Sequence, residues 1–256
     1  FMGLTIATIV GVPVVTLVGQ NLSWRYCLAA AGVLAFIAFI FVYNVVPNVK
    51  NTHTSNLLNE LGVLKNKLVW SILGIVIIGF GGVFCIYTYV ADTILEVTQS
   101  APYTISIAMV MFGIGSTLGN YVLGKAADKS AIKTTGFTLA STIVFAFAYV
   151  SASYNIYLLY AVIFFIGCSL GLSTLVQTLL MDVSPDGHAM IGALVQCAFN
   201  IANAIGPWVG GIAIAKGAAP NQTGYVAAAL FLGGLLMWLL SYIQISGNKT
   251  KQAQPC

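Results

Sequence analysis

Runs of apolar residues long enough to cross a bilayer constrain this chain more than any other feature. They lie at about 3–20, 25–46, 69–91, 103–124, 134–152, 156–180, 189–215 and 223–245. An α-helix rises about 1.5 Å per residue, so about 20 such residues span a hydrocarbon layer about 30 Å thick. Only 6% of the residues are charged, against roughly 25% in soluble domains, and folding in water would have to hide nearly every run at once. The runs are continuous rather than alternating, which argues against the two-faced strands of a membrane β-barrel. The sequence therefore predicts an all-α membrane protein with eight transmembrane helices.

The formal net charge is +4, but the ten cations are scattered between the runs and form no basic stripe. Their role is membrane topology, and nucleic acid is not an expected partner. Counting alternate connections puts Lys50, Lys65, Lys67, Lys125, Lys129, Lys133, Lys249 and Lys251 on one side and Arg25 and Lys216 on the other. The positive-inside rule assigns the first set to the cytoplasm, and an even helix count then places both ends there. The long connection from Pro47 to Leu68 reads as a linker between two bundles, with an amphipathic piece around Leu57 to Leu64. Cys27, Cys85, Cys168 and Cys197 fall inside apolar runs and Cys256 is the last residue, a pattern of small buried side chains rather than disulfides. No basic region precedes the apolar run that begins at Phe1, so no cleavable signal peptide is expected.

Two runs carry ladders of small residues. Ala202, Gly206 and Gly210 stand four apart on one helix face, with Pro207 and Gly211 beside them; Gly3, Ala7 and Gly11 repeat the spacing near the start, followed by Pro13. Glycine and proline weaken a helix in water, by about 1 and about 3 kcal/mol relative to alanine. In a membrane, small residues let helix backbones approach closely, and neighbours re-satisfy what proline frees. Each ladder precedes a helix entered through tyrosine and alanines, Tyr26-Cys27-Leu28-Ala29-Ala30-Ala31 and Tyr225-Val226-Ala227-Ala228-Ala229. Gly11 and Gly206 are 195 residues apart, an interval of six helices, so the chain reads as the last two helices of one six-helix unit followed by a complete second unit. About four helices are then expected upstream of Phe1.

These residues resemble the major facilitator superfamily, whose members join two six-helix halves through a cytoplasmic loop. The segment Ala202-Asn-Ala-Ile-Gly206-Pro207-Trp-Val-Gly210-Gly211 is similar to the family's Gly-x-x-x-Gly-Pro-x-x-Gly-Gly pattern, which marks helix five in its drug:proton antiporters. The copy at Gly11-Val12-Pro13 shifts the proline by one and has Val15-Thr16 in place of two glycines. Gly124-Lys-Ala-Ala-Asp128-Lys129-Ser-Ala-Ile-Lys133 looks like the family's cytoplasmic Gly-x-Leu-Ala-Asp-Arg-x-Gly-Arg-Lys loop. There Asp128 would cap the next helix while Lys129 and Lys133 hold carbonyls or lipid phosphates; a plain turn with topology charges is the other reading. The segments 19–25 and 199–206 are most similar to the arabinose-efflux-permease-like group of bacterial exporters.

The resemblance covers helices five to twelve of that fold. It implies a division into 1–46, the last two helices of the N-terminal bundle; 47–68, the inter-bundle loop; 69–245, the six-helix C-terminal bundle; and 246–256, a cytoplasmic tail. It also implies a bacterial inner-membrane location and a full-length monomer.

Candidate site residues follow from helical spacing. Gln196, Asn200 and Asn203 share one face about a quarter turn from the ladder. Burying such amides unpartnered costs about 1–3 kcal/mol each, so they either line a wet cavity or bond to a neighbouring helix. Ser169, Ser173 and Gln177 stand four apart on the 156–180 run; the serines are expected to bond their own backbone, leaving Gln177 as the stronger candidate. Gly79, Gly81 and Gly82 invite bending ahead of Tyr87 and Tyr89, which either face a substrate or belong to the interfacial belt. Asp92 and Glu96 lie at the outer end. His53 and His188 read as surface loop residues, and no metal spacing, phosphate loop or nucleophilic triad is evident. No catalytic residue, enzyme activity, cofactor or metal is predicted.

The expected function is secondary active transport. A small organic solute or drug would be exported by alternating access with the proton as coupling partner, which the resemblance implies. No acid at mid-membrane depth identifies a proton carrier. A truncated or non-transporting membrane subunit with a structural role is the alternative.

Overall fold

Every regular element among the described residues is helical, as unbroken apolar runs require where no water can bond the backbone. The computed structural model describes residues 10–45, 61–183 and 188–252. Its helices are α1 (Val12–Asn21) and α2 (Trp24–Val45), α3 (Lys67–Val97) and α4 (Tyr103–Ala152), α5 (Ile156–Val183) and α6 (His188–Ala215), and α7 (Thr223–Gln252). Six of them, α2 to α7, are long and apolar enough to cross a membrane. Gly3, Ala7, His53, Cys256 and the linker up to Glu60 lie outside the described residues, as does the Pro13 side chain. Of the expected amphipathic piece, Leu61–Lys65 forms a short 3-10 turn. His188, expected in a loop, is instead the first residue of α6.

The runs expected as separate helices at 103–124 and 134–152 are two helices that meet at a kink at Ser130, the two limbs of α4. Helical backbone continues through Gly124–Lys129, and only Ser130 departs from it, with φ −171° and ψ 97°. The intervening alanines and lysines are good helix formers, so polarity alone does not stop the helix, and one extended residue is enough to turn it. The Ser130 hydroxyl, 3.5 Å from the Lys133 amide, caps the second limb. Asp128 does not take the capping role expected of it, because the helix runs past it to Lys129. Thr134 Oγ1 donates to Ser130 O (2.9 Å) and reaches Ala126 O (3.3 Å), tying the limbs together. From α7, Trp238 Nε1 donates to Ile132 O at 2.6 Å, with the indole lying where a Cβ on Gly136 would collide with it.

The interior of the body is α3. Asn66 caps it by accepting from Leu68 N at 3.0 Å. A wider, π-helical turn over Ile75–Phe80 runs into the glycine cluster, where bending was expected. These glycines admit α6 and α7. A Cβ on Gly234 would stand 2.7 Å from Gly79 Cα, and one on Gly82 would stand 2.8 Å from Ala227 O.

The first limb of α4 and α5 interlock through a matched pair of small-residue ladders. A Cβ on Gly115 would strike Phe164 O, one on Gly119 would strike Cys168 O, and one on Gly167 would strike Phe112 O. Contact this close is backbone against backbone, which only residues without a Cβ allow. Asn155 caps α5 by accepting from Tyr157 N at 3.0 Å.

At the opposite end from Ser130, buried and half-buried polar side chains join the ends of α3, α4 and α7. Tyr149 Oη donates to Thr93 Oγ1 (2.8 Å), Thr98 Oγ1 donates to Ser153 O (2.6 Å), and Asn221 Nδ2 donates to Ser153 Oγ (2.9 Å). Outside this body, α1 packs on α2 and α4, while no α2 residue is buried. A Cβ added to Gly11 or Gly32 would meet nothing within 4 Å.

Candidate functional site

The two faces of α6 meet different surroundings. Ile191, Val195, Ala198, Ala202, Gly206 and Gly210 are buried, at spacings of four and three that keep them on one side of the helix. A Cβ on Gly206 would collide with Gly81 O, and one on Gly81 would come within 3.8 Å of Ala202 O. Cβ atoms on Gly210 and Gly211 would stand 2.8 Å from the Tyr89 ring and hydroxyl respectively. The missing side chains therefore leave a notch into which α3 inserts Tyr89, whose hydroxyl donates to Pro207 O at 2.9 Å. Phe80 and Phe199 close the interface about two turns away, edge to face at 4.4 Å.

Tyr89, for which a substrate-facing and an interfacial-belt role were both open, is thus a fastener between two helices. The sequence signal was its spacing from Gly82 and Cys85, which puts all three on the α3 face that α6 and α7 cover. Tyr87 is half-buried and packs at 4.7 Å against Phe112 of α4.

Gln196, Asn200 and Asn203 are all exposed on the flank of α6 that no described residue covers. Pro207 lacks the N–H that would bond to Asn203 O, so the helix offers a freed carbonyl beside the amide side chains. Cys197 is exposed on the same flank, contrary to the expected burial; Cys85 is buried, and Cys27 and Cys168 are half-buried. Gln177 is half-buried on α5, and the structure does not join it, Tyr87 and the α6 amides into one hydrogen-bonded group. Ser169 and Ser173 donate to Ile166 O (2.6 Å) and Leu170 O (2.8 Å) of their own helix.

One polar pair escaped sequence reasoning. Thr174 Oγ1 donates to Asn120 Oδ1 at 3.1 Å, while Asn120 Nδ2 donates to Ser116 O at 2.9 Å, bridging α4 and α5 next to the glycine ladders. The spacing of Gly115 and Gly119 against Gly167 and Gly171 was the available signal. Asp128, Lys129 and Lys133 are exposed around the Ser130 bend, and Gly124 has open space where its Cβ would be.

Long apolar helices locked by glycine ladders, with a polar flank left open on one of them, define a multi-pass membrane protein. The sequence model of the Major Facilitator Superfamily matches residues 1–207 and again residues 72–254, and the chain belongs to that family. It is 33% identical over 237 residues to the uncharacterized MFS-type transporter YfhI of Bacillus subtilis, covering 92% of this chain and 58% of that protein. It is 28% identical over 218 residues to the inner membrane transport protein YdhP of Escherichia coli, covering 85% and 56%. It is 25% identical over 255 residues to a protein of Helicobacter pylori named as a probable sugar efflux transporter, covering 97% and 63%. The chain thus spans about three-fifths of the length of these relatives.

Proposed function

We propose that this chain forms most of a secondary active transporter that exports a small organic solute or drug by alternating access, with the proton as coupling ion. The observation that carries the reading is the asymmetry of α6, glycine-packed into α3 on one side and presenting Gln196, Asn200 and Asn203 on the other. A helix of this kind can move as part of a rigid body while offering amides to a substrate at the midplane. Export is supported by the sugar-efflux name of the Helicobacter relative.

In this reading the whole transporter has two six-helix bundles and works as a monomer. α1, with the residues before it, and α2 are the last two helices of the first bundle; α3, the two limbs of α4, α5, α6 and α7 are the second. That makes eight spans, joined by the 47–68 loop, with both ends and the Ser130 bend in the cytoplasm. The open flank of α6 faces the first bundle across the substrate path, with Gln177 and Tyr87 contributing from α5 and α3. Asp128, Lys129 and Lys133 bias the cytoplasmic gate, and no catalytic chemistry is invoked.

The test is proton-driven flux of candidate solutes in proteoliposomes, comparing this chain with a version extended upstream by four helices. Flux from the extended version alone establishes that the path needs both bundles. Flux from neither overturns the transporter reading in favour of a structural membrane subunit. Within an active version, Asn200→Leu is expected to change substrate selection while membrane insertion stays normal; failed insertion would show the amide to be interhelical glue.

A further inference from the structure

A cavity of about 530 Å³ opens sideways between the two limbs of α4 and α5. Leu118, Val122, Phe137, Phe145, Phe165 and Cys168 line it. The hydroxyls on its wall are spent on their own helix, Thr138 donating to Thr134 O (2.8 Å), Ser141 to Thr138 O (2.9 Å) and Thr142 to Thr138 O (2.7 Å). Its surface is therefore apolar throughout. Its rim faces outward from the bundle, with Phe137 74% and Val122 57% exposed.

Toward the Ser130 bend the same helix faces turn basic. Leu118, Val122, Lys125 and Lys129 follow one another at spacings of four, three and four, and Lys133, Phe137 and Ser141 at spacings of four. Along the helix axes, Lys125 is about 4.5 Å beyond Val122 and Lys133 about 6 Å beyond Phe137, within reach of a lysine stem. Lys125 Nζ rests 4.5 Å from the Tyr121 ring centre, and Lys129 and Lys133 are exposed. The nearest acid in sequence, Asp128, is about a quarter turn off the lysine stripe.

We propose that this groove binds an anionic phospholipid of the surrounding bilayer, with an acyl chain between the limbs of α4 and the phosphate held by Lys125, Lys129 and Lys133. An apolar slot with three lysines just beyond one end matches the charge and the shape of such a lipid. Because the two walls belong to the two limbs, the bound lipid braces the bend at Ser130.

Native mass spectrometry of the full chain tests this, using phosphatidylglycerol, phosphatidylcholine with the same acyl chains, and glycerol 3-phosphate. One phosphatidylglycerol is expected to stay bound after mild detergent stripping, and neither of the others is expected to compete with it. Replacing all three lysines by glutamine weakens its retention on the order of a hundredfold, whereas replacement by arginine keeps it. Ser141→Phe fills the slot and removes the lipid without touching the charges. Equal binding of phosphatidylcholine, full retention by the glutamine variant, or displacement by glycerol 3-phosphate each overturns the proposal. So does occupation of the slot by a lipophilic cation such as tetraphenylphosphonium in preference to the lipid. Size-exclusion profile and helical circular dichroism report folding of each variant. If the triple variant misfolds, Lys129→Gln alone is expected to lose about fivefold, and no loss overturns the proposal.

Discussion

α2 and α3 are both long, apolar helices, yet no residue of α2 is buried, whereas 72% of the most apolar stretch of α3 is. Hydropathy does not separate them. Each has glycine, but those of α3 stand opposite the backbones of other helices, Gly81 against α6 and Gly82 against α7, while a Cβ on Gly32 of α2 would meet open space. Lipid tails are as apolar as leucine, so burial inside a membrane bundle is driven by close fit and not by escape from water. Apolar character puts a helix in the membrane; matched small residues put it inside a bundle.

The contrast can be broken most forcefully at the α3–α6 and α4–α5 contacts. Gly206→Leu and Gly119→Leu each push a side chain into an opposing carbonyl and are expected to cost about 3 kcal/mol or more, read as loss of monodisperse protein on size exclusion. A wild-type profile for either would show that backbone proximity is not what holds α3 to α6 or α4 to α5. Trp238→Phe keeps most of the ring but loses the bond to Ile132 O and should lower the unfolding midpoint by the equivalent of about 1 kcal/mol. Tyr89→Phe, which removes the donor to Pro207 O, should cost a little less, about 0.6 kcal/mol, as interhelical bonds in membranes do. Smallest of all, Gly32→Leu is expected to change the stability of this chain by under about 0.5 kcal/mol. The same change made in the version extended by four helices sharpens the comparison: a large loss there would show that α2 gains a packed partner.

Much of the fold was legible because the bilayer imposes a length on every span. The runs from 69 onward correspond to helices with ends shifted by a few residues, the two limbs of α4 meeting at Ser130 within the polar stretch 124–133. The break between them is shorter than the polar stretch suggests, because lysine and alanine favour helix and only Ser130 leaves helical geometry. The ladder through Ala202, Gly206 and Gly210 was legible as a packing face, since spacing fixes which residues share a side. Its partner was not, because nothing in the order of residues says that Gly206 meets Gly81 rather than another glycine. Tyr89 shows the same limit: its hydroxyl's acceptor lies 118 residues away.

By itself, then, the sequence determined the membrane setting, the helical class, and the division of α6 into a small-residue face and an amide face. Each rests on composition or on the 3.6-residue period, which are local properties. Only the tertiary structure decided that Tyr89 fills the notch at Pro207, that α4 bends at one residue under Trp238, and that an apolar groove lies between its limbs. Those arrangements depend on which backbones come close enough to touch, and that is settled by the fit of whole helices.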